Sequence, residues 1–237
     1  MKGTFLNLGS PLVAEVLALS GFEWLLVDLE HGMRSEEALI GQLLAGAAHD
    51  VPMLVRVESP QRIRVGHVLD LGAEGVMFPR IDTPEEAREA VSHLWYPPKG
   101  DRGVAGYNRG RQFGGDGRET SDVNDAILGI VQIETLSALE NVSSIAAVPG
   151  VDVLFVGPSD LSTAMGIPGQ FDEPQFVEAL DKVVEAARKV NVAAGILTND
   201  LGRVDALYEQ GYTFISVASD SGLLRSAALA ASERPAS

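Results

Sequence analysis

The 237-residue chain is 46% hydrophobic and carries 18 Lys and Arg against 33 Asp and Glu, a net charge of −15. That balance opposes nucleic acid or an anionic membrane surface as partner, and the absence of cysteine excludes disulfides, iron–sulfur clusters and thiolate zinc. The longest apolar runs are too short to cross a bilayer and Met1 to Ser10 lacks the layout of a secretory leader, so a soluble cytoplasmic protein is expected.

In chain order, Thr4 to Leu8 reads as a strand, and Ser10-Pro11 as the cap and first residue of a helix through Leu19. Trp24 to Glu30, W-L-L-V-D-L-E, is a second buried strand, and Ser35 opens a helix through Ala48. Pro52 to Glu58 is the third strand, followed by a helix over Gln61 to Leu69, a strand over Gly75 to Ile81, and a helix from Thr83 to Leu94. Trp95 to Asn124 is irregular, rich in glycine and arginine; a stretch this long inside a compact domain is expected to be an active-site loop.

Beyond it come a strand ending at Glu134, a helix over Ser137 to Ala147, a strand ending at Asp160, and a helix over Glu173 to Val190. The strand Ala193 to Thr198, a helix over Leu201 to Glu209, the strand Thr213 to Val217 and a helix over Ser221 to Ala231 complete the chain. Strands alternating with helices throughout, with no glycine-rich dinucleotide turn, predict an α/β fold of the (β/α)₈ TIM-barrel type, a single domain spanning residues 1–237.

Polar groups gather at the carboxyl ends of the expected strands, the catalytic face of such a barrel. They include Asn7, Asp28, Glu30, His31, Arg56, Arg80, Gln132, Glu134, Ser159, Asp160, Asn199 and Ser219. Period-two alternation puts Gln132 and Glu134 on one side of their strand. If the next strand lies alongside, Glu134 and Asp160 offer two carboxylates to a hard divalent cation, Mg²⁺, Mn²⁺ or Co²⁺, although each acid alone could merely start or cap a helix. Arg56, set in L-V-R-V, must pair with Glu58 or Glu30 or await an anionic ligand. His31 follows Asp28-Leu29-Glu30, so a carboxylate can tune it for proton transfer. The turn Gly157-Pro158-Ser159-Asp160 can point backbone N–H groups at a carboxylate. Together these would hold a 2-oxo acid and favour making or consuming its enolate. His49, His67 and His93 fall on helices or their ends and are expected to stay away from the mouth.

The motifs W-L-L-V-D-L-E-H-G, L-V-R-V, V-L-D-L-G-A, Y-P-P-K-G-D-R-G-V, V-Q-I-E-T, F-V-G-P-S-D-L-S and G-I-L together resemble the HpcH/HpaI aldolase family, metal-dependent class II pyruvate aldolases typified by 4-hydroxy-2-oxoheptanedioate aldolase. The resemblance covers nearly the whole chain. It implies a metal-dependent carbon–carbon lyase that reversibly cleaves 4-hydroxy-2-oxo acids to pyruvate or hydroxypyruvate and an aldehyde. Glu134 and Asp160 would then be metal ligands, with Gln132, Ser159 and the Leu197 of G-I-L against substrate. His31 would be the proton acceptor, Arg56 the stabiliser of the enolate, and Asp70 the group that raises the basicity of His31. Asp70, however, ends a helix and should lie toward the opposite face of the barrel, which leaves Asp28 as its rival. The resemblance also implies a homohexamer, a trimer of dimers, that exchanges its last helix between subunits; that helix, rich in Ala and Leu, suits a solvated barrel exterior poorly. The alternatives are a malyl- or citramalyl-coenzyme A type lyase on a similar barrel and a non-catalytic 2-oxo acid binding module.

Overall fold

The computed structural model describes residues 1–33 and 35–232, so the end of the expected domain, residues 233–237, lies outside the described residues. Eight parallel strands close into a barrel in sequence order: β1 (Lys2–Leu6), β2 (Trp24–Asp28), β3 (Met53–Arg56), β4 (Gly75–Phe78), β5 (Leu128–Ile133), β6 (Val153–Val156), β7 (Ala193–Thr198) and β8 (Phe214–Ser219). Helices α1 (Pro11–Ala18), α2 (Glu36–Ala47), α3 (Arg62–Asp70) and α4 (Pro84–Ser92) follow the first four strands. The expected caps form: Ser10, Ser35 and Thr83 each accept a backbone N–H of the first turn, and Thr83 and Glu86 make a reciprocal capping box.

Alternation along the strands makes two cores. Residues facing outward pack beneath the helices. An inner cluster including Phe5, Trp24, Leu26, Ile130, Phe155 and Phe214 fills the barrel. Trp24 stacks on Phe214 with ring centroids 4.3 Å apart. Gly3 permits this, because a Cβ there would fall 2.0 Å from the Trp24 ring.

Several expectations change. β2, β3 and β4 end two or three residues early, because beyond Asp28, Arg56 and Phe78 the chain turns outward. Asp160 does not end a strand: β6 stops at Val156, and Asp160 is the third residue of the short helix α8 (Pro158–Ala164), which Pro158 starts. The helix expected over Ser137 to Ala147 divides into α6 (Leu136–Glu140) and α7 (Val142–Ala146) at Asn141, whose side chain donates to the Asp82 carbonyl at 2.8 Å.

The segment Trp95 to Asn124 is neither structureless nor, in its own chain, an active-site loop. It joins the end of α4 to the start of β5 and therefore lies at the amino-terminal end of the barrel, opposite the catalytic face. It carries a 3₁₀ turn, Arg109–Gly114, and leads into α5 (Thr120–Asp125). The Asn124 side chain clasps it shut, accepting from Tyr96 N at 2.7 Å and donating to Tyr96 O at 3.1 Å.

The barrel is finished by α9 (Pro174–Val190), α10 (Val204–Gln210) and α11 (Asp220–Ser232). α11 is buried only at Asp220 and stands off its own barrel, with Leu224 60% and Leu229 47% exposed. No helix among the described residues is long and apolar enough to cross a membrane.

Candidate active site

The inward-facing series of each strand is apolar low in the barrel and polar at the mouth: Trp24, Leu26 and Asp28 on β2, Leu54 and Arg56 on β3, Ile130 and Gln132 on β5. Register does the rest. Asp28 and Arg56 are direct partners across β2 and β3. Gln132 stands beside Phe155, so that Glu134, two residues on, falls beside Gly157.

Arg56 donates from Nε to Asp28 Oδ1 at 2.9 Å and from Nη2 to Asp28 Oδ2 at 2.7 Å, a bidentate pair with both residues buried. Its Nη1 lies 3.0 Å from Glu30 Oε2 and 3.4 Å from Gln132 Oε1. Burial alone would lower the Arg56 pKa, but the Asp28 hydrogen bonds and the charges of Asp28, Glu30 and Glu134 raise it, so the guanidinium is firmly charged. Phe5 lies under it, 5.2 Å from ring centroid to guanidinium carbon. Of the two partners expected for Arg56, Glu30 forms the ion pair and Glu58 does not; Glu58 accepts from Arg64 at 3.0 Å instead. Asp28 is the partner that sequence spacing could not supply.

Asp28 has a second duty. Its Oδ1 also accepts the backbone N–H of Glu30 at 3.1 Å and of His31 at 3.2 Å, so it fixes the turn that carries His31. The imidazole itself stands out at the mouth, with its side chain 65% exposed, and the carboxylate within reach of it is that of Glu30, 3.8 Å from Nε2. Asp28 thus holds His31 through the backbone and does not contact the ring. Asp70 does not reach it either. As the last residue of α3 it lies at the far end of the barrel, where it accepts from Arg102 Nη2 at 2.7 Å. Arg102 is itself buried there.

Glu134 lies behind the cavity wall. Its Oε1 accepts from Arg80 N at 2.7 Å and its Oε2 from Gln132 Nε2 at 3.1 Å. Burial pushes its pKa up, the Arg80 N–H opposes this, and the negative charges of Asp160 and Glu30 push it further up. Two acids that repel one another, one buried and one exposed at the helix start, make a donor set that a hard cation would satisfy, with waters and substrate oxygens completing its shell. Gly157 leaves the space: a Cβ there would come within 2.9 Å of Glu134 Oε2. Among the described residues no group of three His, Cys, Asp or Glu converges on a metal position, so the protein's share would be this pair.

The cavity above these groups has a volume of about 360 Å³. Asp28, His31, Arg56, Gln132, Gly157, Pro158, Ser159, Asp160 and Leu197 all line it, so the structure brings together every expected site residue except Asp70 and the recessed Glu134. His49, His67 and His93 are spent elsewhere, on Glu15, Glu36 and Asp101. Asn7, Asn199 and Ser219, expected at this face, also line the cavity, and so does Phe5, which was not. Alternation back from Asn7 could have found Phe5.

Residues 2–227 match the family described as HpcH/HpaI aldolase/citrate lyase. The chain belongs to the HpcH/HpaI aldolase/citrate lyase family. It is 37% identical over 228 residues to a hydroxypyruvate/pyruvate aldolase of Sagittula stellata, covering 96% of this chain and 90% of the relative. It is 38% identical to a 5-keto-4-deoxy-D-glucarate aldolase of Klebsiella pneumoniae, covering 95% and 88%. The crystal structure of a family member from Burkholderia cenocepacia superposes with a TM-score of 0.93 at 37% identity, covering 98% of this chain and 92% of that one. Within this HpcH/HpaI barrel, the motif W-L-L-V-D-L-E-H-G supplies the Asp28 anchor and the His31 turn, and V-Q-I-E-T supplies Gln132 and Glu134.

Proposed function

We propose that this HpcH/HpaI family member is an aldolase that reversibly cleaves 4-hydroxy-2-oxo acids to pyruvate or hydroxypyruvate and an aldehyde. The observation that carries the reading is the charged Arg56 guanidinium, clamped by Asp28 in the wall of a cavity that Asp160 also lines, with Glu134 recessed behind that wall. In cleavage, a proton leaves the C4 hydroxyl and the C3–C4 bond breaks. Its electrons pass onto the 2-oxo fragment as an enolate, and C3 is then protonated to give pyruvate. His31, at the open end of the cavity, takes the hydroxyl proton.

Arg56 stabilises the negative charge that grows on the former keto oxygen. Three of its five N–H groups donate, two to Asp28 and one to Gln132, while Glu30 Oε2 lies 3.0 Å from Nη1 without a hydrogen bond, so one hydrogen on Nη2 and one on Nη1 are uncommitted and can turn to substrate. Because the guanidinium is held at both edges before substrate arrives, it need not reorganise as charge develops. Gln132 and Ser159, with the Gly157-Pro158 turn, hold the 2-oxo acid, and Leu197 packs on its carbon skeleton. A divalent cation, Mg²⁺, Mn²⁺ or Co²⁺, held by Glu134 and Asp160 would supply Lewis acidity toward the 2-oxo acid.

The subunits assemble, in this reading, as a hexamer arranged as a trimer of dimers, with α11 exchanged between copies. Asp70 then serves His31 only from a neighbouring copy. A role in the metabolism of small soluble acids suits a cytoplasmic location.

The test is exchange of pyruvate methyl protons with deuterated water, together with aldol addition of pyruvate and hydroxypyruvate to an aldehyde panel. Both activities are expected to vanish on exhaustive chelation and return with Mn²⁺, Co²⁺ or Mg²⁺. Full activity after chelation overturns the metal-dependent assignment, and no exchange with any metal overturns the aldolase reading.

A further inference from the structure

The part of the cavity not occupied by the acid pair and Arg56 is formed by the ends of β7, β8 and β1, and its polar groups there are Asn199, Ser219 and Asn7. These are uncharged. Among the described residues lining the cavity, Arg56 is the only guanidinium or ammonium group, and it is already committed to Asp28 and Glu30.

Asn7 is built into this wall with unusual care. Its N–H donates to Asp220 Oδ1 at 2.9 Å, and its carbonyl accepts from Met33 N at 2.9 Å. Gly32 packs so closely that a Cβ there would sit 3.1 Å from the Asn7 Cα. The backbone is therefore gripped from the start of α11 and from the loop after β2, while the side-chain amide has no hydrogen-bond partner among the described residues. Its Oδ1 is buried and unpaired. An unspent buried amide is costly unless something satisfies it, and no protein bond fixes which end of the amide faces the cavity.

We infer that Asn7 is a specificity-determining residue that hydrogen-bonds a hydroxyl group on the aldehyde fragment, so that the preferred aldehydes are neutral hydroxyaldehydes. The inference rests on the aldolase reading and narrows its substrate class. A hydroxyl can both donate to and accept from an amide, whichever end is presented. An anionic aldehyde would instead place its charge beside three neutral groups in a protein of net charge −15. A site that hydrogen-bonds a substrate hydroxyl discriminates against the analogue lacking it, because the protein group is then left unpaired.

The experiment fixes pyruvate as donor and compares kcat/KM for glycolaldehyde with that for propanal, which has the same heavy-atom count but a methyl in place of the hydroxyl. Succinic semialdehyde serves as the anionic probe. The holoenzyme is expected to prefer glycolaldehyde to propanal by about tenfold, the worth of one such hydrogen bond. Asn7→Leu should abolish or invert the ratio, and the smaller Asn7→Ser should retain part of it. The ratio is read within each variant, so a partly misfolded preparation does not alter it.

An unchanged ratio in Asn7→Leu overturns the proposal. A preference for propanal or longer alkanals also overturns it, and directs attention to the adjoining apolar chamber of about 310 Å³ beyond Leu197, lined by Phe171, Phe176 and Leu180. A preference for succinic semialdehyde overturns the neutral assignment. Pyruvate proton exchange separates these failures from failure of the parent reading. Exchange with no aldehyde discrimination removes only the role of Asn7, whereas no exchange with any metal removes the aldolase reading and this inference with it.

Discussion

Asp28 carries more of the site than any other single side chain, since one carboxylate holds the Nε–Nη2 edge of Arg56 and two backbone N–H groups of the His31 turn. It is 1% exposed and Arg56 is 8% exposed, so neither charge has water to fall back on. Asp28→Ala should therefore cost about 3–5 kcal/mol, the usual penalty for stranding one member of a buried pair. Urea denaturation of the single variants and of Asp28→Ala/Arg56→Met checks this: the double variant should lose clearly less than the sum of the two singles. Additive losses would mean that the pair does not act as a unit. The sequence made Arg56 legible as a buried cation in need of an anion, because L-V-R-V leaves it no water. Its partner was not legible, because residues Asp28 and Arg56 meet only through the register of neighbouring strands. Glu134 was readable from alternation alone, yet its retreat behind the cavity wall depends on Gln132, the Arg80 backbone and the bare Gly157.

At the scale of elements, the order of strands and helices could be read from apolar runs and caps, since Ser10, Ser35 and Thr83 state where helices begin. Direction was the harder matter. Asp70 and the segment after Trp95 carry the charged and glycine-rich signature of a functional loop, but chain polarity puts the ends of helices and the starts of strands at the same face. Their contacts are accordingly with each other: Arg102 with Asp70, and Arg109 Nη1 with the Leu71 carbonyl at 2.8 Å. The short turn before α8 was also misread, because Phe155-Val156 runs into Gly157-Pro158 with no polar break until Ser159. The Asn124 clasp around Tyr96 is the feature that gives the long segment a fixed path. Asn124→Ala leaves the Tyr96 N–H and carbonyl without these partners in a buried position, and should cost about 2 kcal/mol. The expected readout is a lower urea midpoint with faster proteolysis between Lys99 and Arg118; a midpoint and cleavage rate equal to those of the parent would show that the clasp is dispensable.

The whole molecule presents two incomplete surfaces, and each bears on the other. α11 leaves Leu224 and Leu229 in solvent, while α1 and its C-cap expose Leu12, Val16 and Leu19, an amount of apolar surface that a lone barrel has no use for. At the mouth, His31 has no orienting carboxylate among the described residues other than Glu30, 3.8 Å away, while Asp70 sits at the opposite face, half-covered by Arg102. If copies assemble with the lower face of one against the mouth of another, Asp70 and His31 belong to one site contributed by two chains. Complementation decides it. His31→Ala and Asp70→Asn should each be strongly impaired as separate preparations. When the two are unfolded together, mixed and refolded, some sites combine the His31 of one chain with the Asp70 of the other, and aldol addition should reappear. The conservative Asp70→Asn keeps a hydrogen-bond acceptor for the buried Arg102, so loss of fold is not the expected cause of its impairment. Adding Leu224→Glu and Leu229→Glu to both chains should produce monomers by light scattering and remove the rescue, because a charged α11 cannot seat on a neighbour. A mixture that assembles yet stays as inactive as its components would confine His31 chemistry to a single chain and leave Asp70 as the anchor of Arg102.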